Sequence, residues 1–127
     1  MENSVMNKKQ KEFTAWLGSQ IAACEKRRKK LLADERSDES DFEKIKTNIY
    51  DIFRTVFTVA LKTGNSDADT VRRFFLLKAE EIPANWKTSY DRAKQHNDVH
   101  KMQIESLKLE TMQDIKTAFE RIWEVEA

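Results

Sequence analysis

The sequence predicts an all-α protein, a four-helix up-and-down bundle made by a single domain over residues 1–127. Three observations point there. Glycine occurs twice and proline once in 127 residues, whereas sheets and α/β folds need both at many turns. Apolar residues recur at steps of three and four in four separate segments. The chain is 35% charged yet carries seven Phe and three Trp, which suits helices with wet outer faces around an aromatic core.

The first periodic segment runs from about Val5 to Glu35, with Phe13, Leu17, Ile21, Cys24, Arg28 and Leu31 on one stripe and Trp16 and Leu32 beside it. The second begins at Ser40, where Ser40 and Glu43 have the spacing of a capping box. Phe42, Ile45, Ile49, Ile52, Val56 and Val59 follow in steps of three and four, and Phe53, Phe57, Ala60 and Leu61 widen the stripe. Apolar over most of its girth, this helix is expected to be the most buried. The stretch TVFTVAL is β-branched enough for a strand, but no second strand-like run exists to pair with it. Gly64 fits a left-handed cap at the helix end.

Ser66 or Asp67 restarts the chain, and Val71, Phe75, Ala79, Ile82, Trp86, Tyr90 and Ala93 form the third stripe. The stripe crosses Pro83 without losing phase, which predicts one helix over about 67–96, kinked where Pro83 cannot donate to the Ala79 carbonyl. The alternative is a new helix with Pro83 in its first turn. Ile104, Leu107, Met112, Ile115, Phe119, Ile122 and Trp123 mark a last helix over about 98–126, with Asn97 turning the chain and Asp98 capping. Without a break at Asn97, shorter helices would precede one long C-terminal helix over 84–126, which would need a dimer to cover it. Short joints make successive helices antiparallel. Residues 1–35 carry eight bases and five acids, and residues 98–127 four bases and seven acids. Those opposite charges favour the first and last helices as neighbours.

Composition excludes several chemistries. Cys24 is the one cysteine, so neither an intrachain disulfide nor a thiolate zinc site is expected. A lone thiol at a core position fits a reducing cytoplasm. The N-terminal residues lack a signal-peptide apolar stretch, and the longest uncharged apolar run falls far short of the roughly 20 residues that span a bilayer. A soluble cytoplasmic protein is expected, with no membrane partner. Di-iron bundles use Glu-x-x-His, but Ala93 and Asn97 precede the two histidines by three residues. The two glycines cannot build a phosphate-cradling loop, and no Ser, His and acid fall at a recognisable catalytic spacing. No enzyme and no cofactor are expected.

Four constellations remain. The run Lys26-Arg27-Arg28-Lys29-Lys30 suggests a phosphate or acidic-partner contact through Lys26, Arg27, Lys29 and Lys30. Five consecutive helical residues, however, circle the axis, and residues 25–43 hold seven acids against six bases. Glu25 and Lys29 have i,i+4 spacing. The run therefore reads first as a solvated helix end. Nucleic acid is the weaker alternative, and its binding would be strongly salt-dependent. His96 and His100 are four apart, which puts both on one helical face, the geometry of a two-point metal clamp. Trp86, Tyr90 and Trp123 suggest a ligand pocket near Pro83, although an aromatic stripe more often builds core. Phe74 and Phe75 cannot share a seam position, so one must face a flank. Phe74, Phe57 and Leu61 are the candidate interface.

Trp16-Leu17-Gly18 resembles the Trp-x-Gly motif of small helical-hairpin proteins secreted by specialised bacterial systems. The resemblance covers three residues. That family places the motif in an interhelical turn and follows it with Tyr-x-x-x-acid. Here the motif is predicted in mid-helix, and Tyr50 and Tyr90 precede Arg54 and Lys94, so nothing is carried over from it. The expected function is non-catalytic. It is that of a small helical module acting through protein contacts with an unknown partner, and self-associating as a homodimer. The alternatives are a ligand- or metal-binding bundle and a nucleic-acid accessory protein.

Overall fold

The computed structural model describes residues 2–65 and 67–123, with side chains from Met6 onward. Four helices follow one another: α1 (Glu2–Ala33), α2 (Ser37–Gly64), α3 (Ala68–Gln95) and α4 (Val99–Trp123). They form an up-and-down bundle, and the described residues contain no strand. The joints at 34–36 and 96–98 lie at one end, called the head. The joint at 65–67 lies at the foot. α1 begins at Glu2, a little before the predicted start at Val5; the Val5 side chain, Ser66 as a restart and the last residues of the 98–126 segment fall outside what is described.

The three reversals are made without a left-handed glycine. Glu35, Asn65 and Asn97 have φ of 61°, 45° and 55°. At the first joint Arg36 N–H donates to Leu31 O at 2.8 Å and Glu35 N–H to Leu32 O at 3.1 Å. At the third, Asp98 N–H donates to Ala93 O at 2.8 Å and Asn97 N–H to Lys94 O at 3.2 Å. Both are Schellman closures that satisfy orphan carbonyls. Asp98 Oδ1 then accepts from Lys101 N at 3.1 Å, capping α4 as its sequence predicts. The chain therefore reverses at Asn97, and the long 84–126 helix is excluded.

Gly64 is not the left-handed residue, since Asn65 takes that role and donates to Leu61 O at 3.2 Å. Gly64 is helical and buried because Val71 packs directly on it. A Cβ there would overlap Val71 Cγ2 and lie 3.1 Å from Val71 N. Nor does Ser40 start α2. The helix begins a turn earlier at Ser37, and Ser40 N–H already donates to Arg36 O at 3.0 Å. The capping box is not formed, because Glu43 is used elsewhere. α3 continues unbroken through Pro83, which rules out a fresh helix starting there. Apolar packing on both sides offsets the lost hydrogen bond.

Each helix contributes one phenylalanine to a central layer: Phe13, Phe57, Phe75 and Phe119. All six ring pairs lie between 4.1 and 6.4 Å, mostly edge to face. Trp123 extends the layer toward the foot, 5.2 Å from Phe119 and 5.7 Å from Phe57. Its indole N–H donates to Ala68 O at 3.0 Å. The Lys9 ammonium donates to the Trp123 carbonyl at 2.6 Å and lies 5.9 Å from its ring. This joins α1 to α4, which otherwise touch little. The predicted α1–α4 adjacency holds, but it is a contact at the foot, not a pairing along their lengths.

Toward the head the core turns polar. The buried polar residues are Ser40, Glu43, Glu105 and Thr111, all on α2 or α4. On α4 the predicted stripe is shifted in part. Ile104 and Leu107 are half-buried, while Glu105 and Thr111 are buried. Thr111 donates to Leu107 O at 2.8 Å. Glu105 Oε1 meets Lys108 Nζ at 3.3 Å, but Glu105 Oε2 is buried without a partner.

Packing gives the two glycines opposite roles. Gly18 is exposed in mid-helix, and a methyl group added to its Cα would meet nothing within 4 Å. Gly18→Ala should therefore stabilise the protein by about 0.5–1 kcal/mol. Gly64→Ala should destabilise it by about 1–3 kcal/mol through overpacking on Val71. Urea unfolding of both variants reads the opposite signs. Glu105→Met removes the orphan oxygen and should raise stability by about 1–3 kcal/mol. An unchanged or lowered denaturation midpoint would show that Glu105 is satisfied.

Candidate functional site

The four sequence constellations meet different fates. In the basic run, the Arg27 guanidinium bonds the Glu43 carboxylate across the α1–α2 seam and lies 3.4 Å from Cys24 Sγ. Lys46 completes the cluster at 3.1 Å from Glu43. Arg27 is thus a structural tie between helices. Lys26, Lys29 and Lys30 are exposed and, at i, i+3 and i+4, share one face of α1, next to the acids of the 34–36 joint. Glu25 pairs with Arg28 at 3.0 Å, not with Lys29, because i,i+3 and i,i+4 partners compete on one helix surface.

His96 is the cap after α3 and His100 is the second residue of α4. The turn at Asn97 separates them, so the one-helix geometry of a metal clamp does not exist. Among the described residues no group of three or more His, Cys, Asp or Glu is placed to hold a metal. His100 instead lies 6.4 Å from the Phe42 ring.

The aromatic pocket does not assemble either. Trp123 is at the foot in the central core. Trp86 lines a hollow with Ile45, Ile49, Ile52, Ile104 and Lys108, and Lys108 Nζ is 6.0 Å from its ring. Tyr90 lines a separate hollow with Phe42, Val99, Met102 and Leu107. The candidate interface is also redistributed. Phe57 is 2% exposed and belongs to the core, because its phase on α2 points to the Phe13 and Phe119 rings. Leu61 is half-buried against the core. Phe74 does face a flank, as the Phe74–Phe75 pair requires. It lines a hollow of about 490 Å³ between α2 and α3 with Thr55, Val56, Val59 and Ile82, under the Lys78 ammonium.

The residues that periodicity misplaces are those of the strict three–four stripe on α2. Only Ile49 of that stripe is buried. Ile52 is 40% and Val59 43% exposed, while Phe42, Ile45 and Val56 are half-buried. The core side of α2 is a second stripe: Glu43, Tyr50, Phe53, Phe57, Ala60 and Gly64. The outer stripe, with Asn48 and Thr55 exposed beside it, carries no charge from Ile45 to Val59. Lys46 turns inward to Glu43, and Asp51 and Arg54 pair with each other off the stripe. Two open hollows follow one another along it: the upper, of about 380 Å³, holds Ile45 and Ile52, and the lower holds Val56 and Val59. In a chain 35% charged, four turns of uncharged stripe on which Ile52 and Val59 are exposed form an unusual surface. The signal for it in the sequence is the absence of charge flanking that stripe, at Asn48 and Thr55.

Comparison with known protein families, curated proteins and solved structures yields no match. None of the described helices is long and apolar enough to cross a membrane.

The polar cluster behind this face has its own electrostatics. Burial pushes the Glu43 carboxyl up, but hydrogen bonds from Arg27 and Lys46 outweigh it and hold the group below its ordinary value. Burial, aided by the Glu43 charge, raises the Cys24 thiol although Arg27 pulls the other way. A raised, buried thiol is unreactive near neutrality. Burial also pushes the Tyr50 hydroxyl up to about 12. For Glu43 the folded value lies below the unfolded one. Its stabilisation is therefore present above the ordinary glutamate value and is lost as pH falls through the depressed folded value. Glu43→Gln should cost about 1–3 kcal/mol at pH 7. It should also show a flatter loss of stability than wild type below about pH 4.3. Parallel acid limbs in urea titrations at stepped pH would refute the assignment.

Proposed function

We propose that this chain is a non-catalytic, cytoplasmic helical module that works through protein–protein contacts and associates with itself. The observation that carries this reading is the outer face of α2. Isolated exposed apolar residues are ordinary. A continuous uncharged stripe over four turns, with two hollows along it, has the pattern of a helix-in-groove contact. Phe74 and Ile82 give it an aromatic and aliphatic wall from α3, the side-chain types that anchor interfaces. The formal net charge of +1 leaves little long-range repulsion between copies.

Molar mass by light scattering across a dilution series tests it. The expected result is twice the 15.0 kDa of the chain at high concentration, falling toward the monomer on dilution. Ile52→Lys and Val59→Lys place a charge on the face without touching the core. Each should weaken association by about 2 kcal/mol or more and keep the helical circular-dichroism spectrum. A wild-type chain that stays monomeric at the highest concentration reached would remove the basis for self-association.

A further inference from the structure

The uncharged stripe has a symmetry that its bundle does not use. Ile45, Ile52 and Val59 are spaced seven residues apart, so Ile52 sits midway between equal apolar arms. Each arm spans about 10.5 Å of helix at 1.5 Å per residue. The ends of the stripe differ in charge. Asp38 and Asp41 continue it toward the head, and Lys62 flanks it at the foot, all three exposed. Lys44, also exposed, has the same rotation as Lys62 eighteen residues later and flanks the head end, so the two aspartates there outweigh one lysine. The hollows differ as well. The one near Ile45 is walled by Trp86, Ile104 and Lys108, the one near Val59 by Phe74, Lys78 and Ile82.

We infer that the face is occupied by a second copy of the same face, with the two α2 helices antiparallel and the two-fold axis passing at Ile52. Residues equally far from Ile52 then pair. Ile45 of one copy meets Val59 of the other, and Ile52 meets its own counterpart. A closed isologous contact of this kind needs a surface that complements itself. Antiparallel docking supplies that complement in three ways. It brings Asp38 and Asp41 to the Lys62 end of the partner, whereas parallel docking would set like charges together at both ends. It sends the Val59 arm of each copy toward the upper hollow of the other and the Ile45 arm toward the lower one. It also opposes the two helix dipoles. A separation of about 8–10 Å between helix axes leaves room for these side chains. Asn48 and Thr55, at intermediate positions, are polar without charge and enter such a seam at less cost than an ionised group.

The inference rests on the self-association proposed above, and the two are separated by reading mass and position independently. Cys24, 1% exposed, leaves the native wild-type chain without an accessible thiol. Single-cysteine reporters are therefore added at Ile52, Ile45, Val59 and, as an off-face control on the same helix, Thr58. Each purified protein is treated with a short bifunctional thiol crosslinker, and light scattering is run on the same samples. Ile52→Cys should give covalent dimer at least tenfold above Thr58→Cys and wild type. Ile45→Cys and Val59→Cys alone should give little, and an equimolar mixture of the two should give the heterodimer. Strong self-crosslinking of Ile45→Cys would show parallel docking and overturn the inference while leaving self-association standing. A dimeric mass with no crosslink at any stripe position would place the interface elsewhere, with the same effect. A monomeric mass throughout would overturn both.

Discussion

The layer of Phe13, Phe57, Phe75 and Phe119 sets the rotation of every helix about its own axis. Each ring touches the other three, with centroids from 4.1 to 6.4 Å apart. Aromatic pairs favour particular offsets and edge contacts, so turning any one helix breaks several pairings together. Once Phe57 is fixed inward, residues 52 and 59 on α2 lie well round the helix from it, since each residue advances about 100°. The most regular apolar stripe of the sequence is therefore turned outward by a bulkier, less regular one. The exposed face follows from the choice the core makes.

Away from that layer the two ends are closed by different means. At the foot, Trp123 packs under the phenylalanines, accepts at its carbonyl from the Lys9 ammonium of α1 and donates its indole N–H to the Ala68 carbonyl of α3. At the head, charge does the joining. Arg27 and Lys46 converge on Glu43, whose side chain is 7% exposed. A carboxylate that well covered needs its partners. Glu105, on the parallel helix α4, lacks a second one. Polar positions in a helix seam set register at some cost in stability. Arg27 stands on α1, so α2 cannot slide by a turn, about 5.4 Å, without breaking the Arg27–Glu43 pair and leaving a covered carboxylate short of a partner.

Much of this was legible in the sequence. The four helices, their order and three sharp reversals follow from three–four spacing and scarce glycine and proline. The phases of α1 and α3 hold, with Phe13, Leu17, Cys24, Val71, Phe75 and Ala79 buried as their spacing requires. What was not legible depends on tertiary partners. Ser40 and Glu43 have capping-box spacing, but an arginine sixteen residues earlier in the chain claims the glutamate. Gly64 carries the composition of a left-handed cap, but the close approach of Val71 is what requires it. Periodicity alone could not choose between two apolar stripes on α2, because the choice rests on rings from other helices. The histidines illustrate the same limit. Four residues apart in sequence means one face only if no turn intervenes.

The three connections also bear on how the chain reaches this state. Each is three residues long, at 34–36, 65–67 and 96–98. Each helix therefore meets its sequence neighbour across a very short loop, and the loop-closure entropy opposing each hairpin is small. Sequence-local contacts of this kind are the mark of fast-folding topologies. The pairings that span the whole chain, Lys9 with Trp123 and Phe13 with Phe119, close the longest loops and so meet the largest loop-closure entropy.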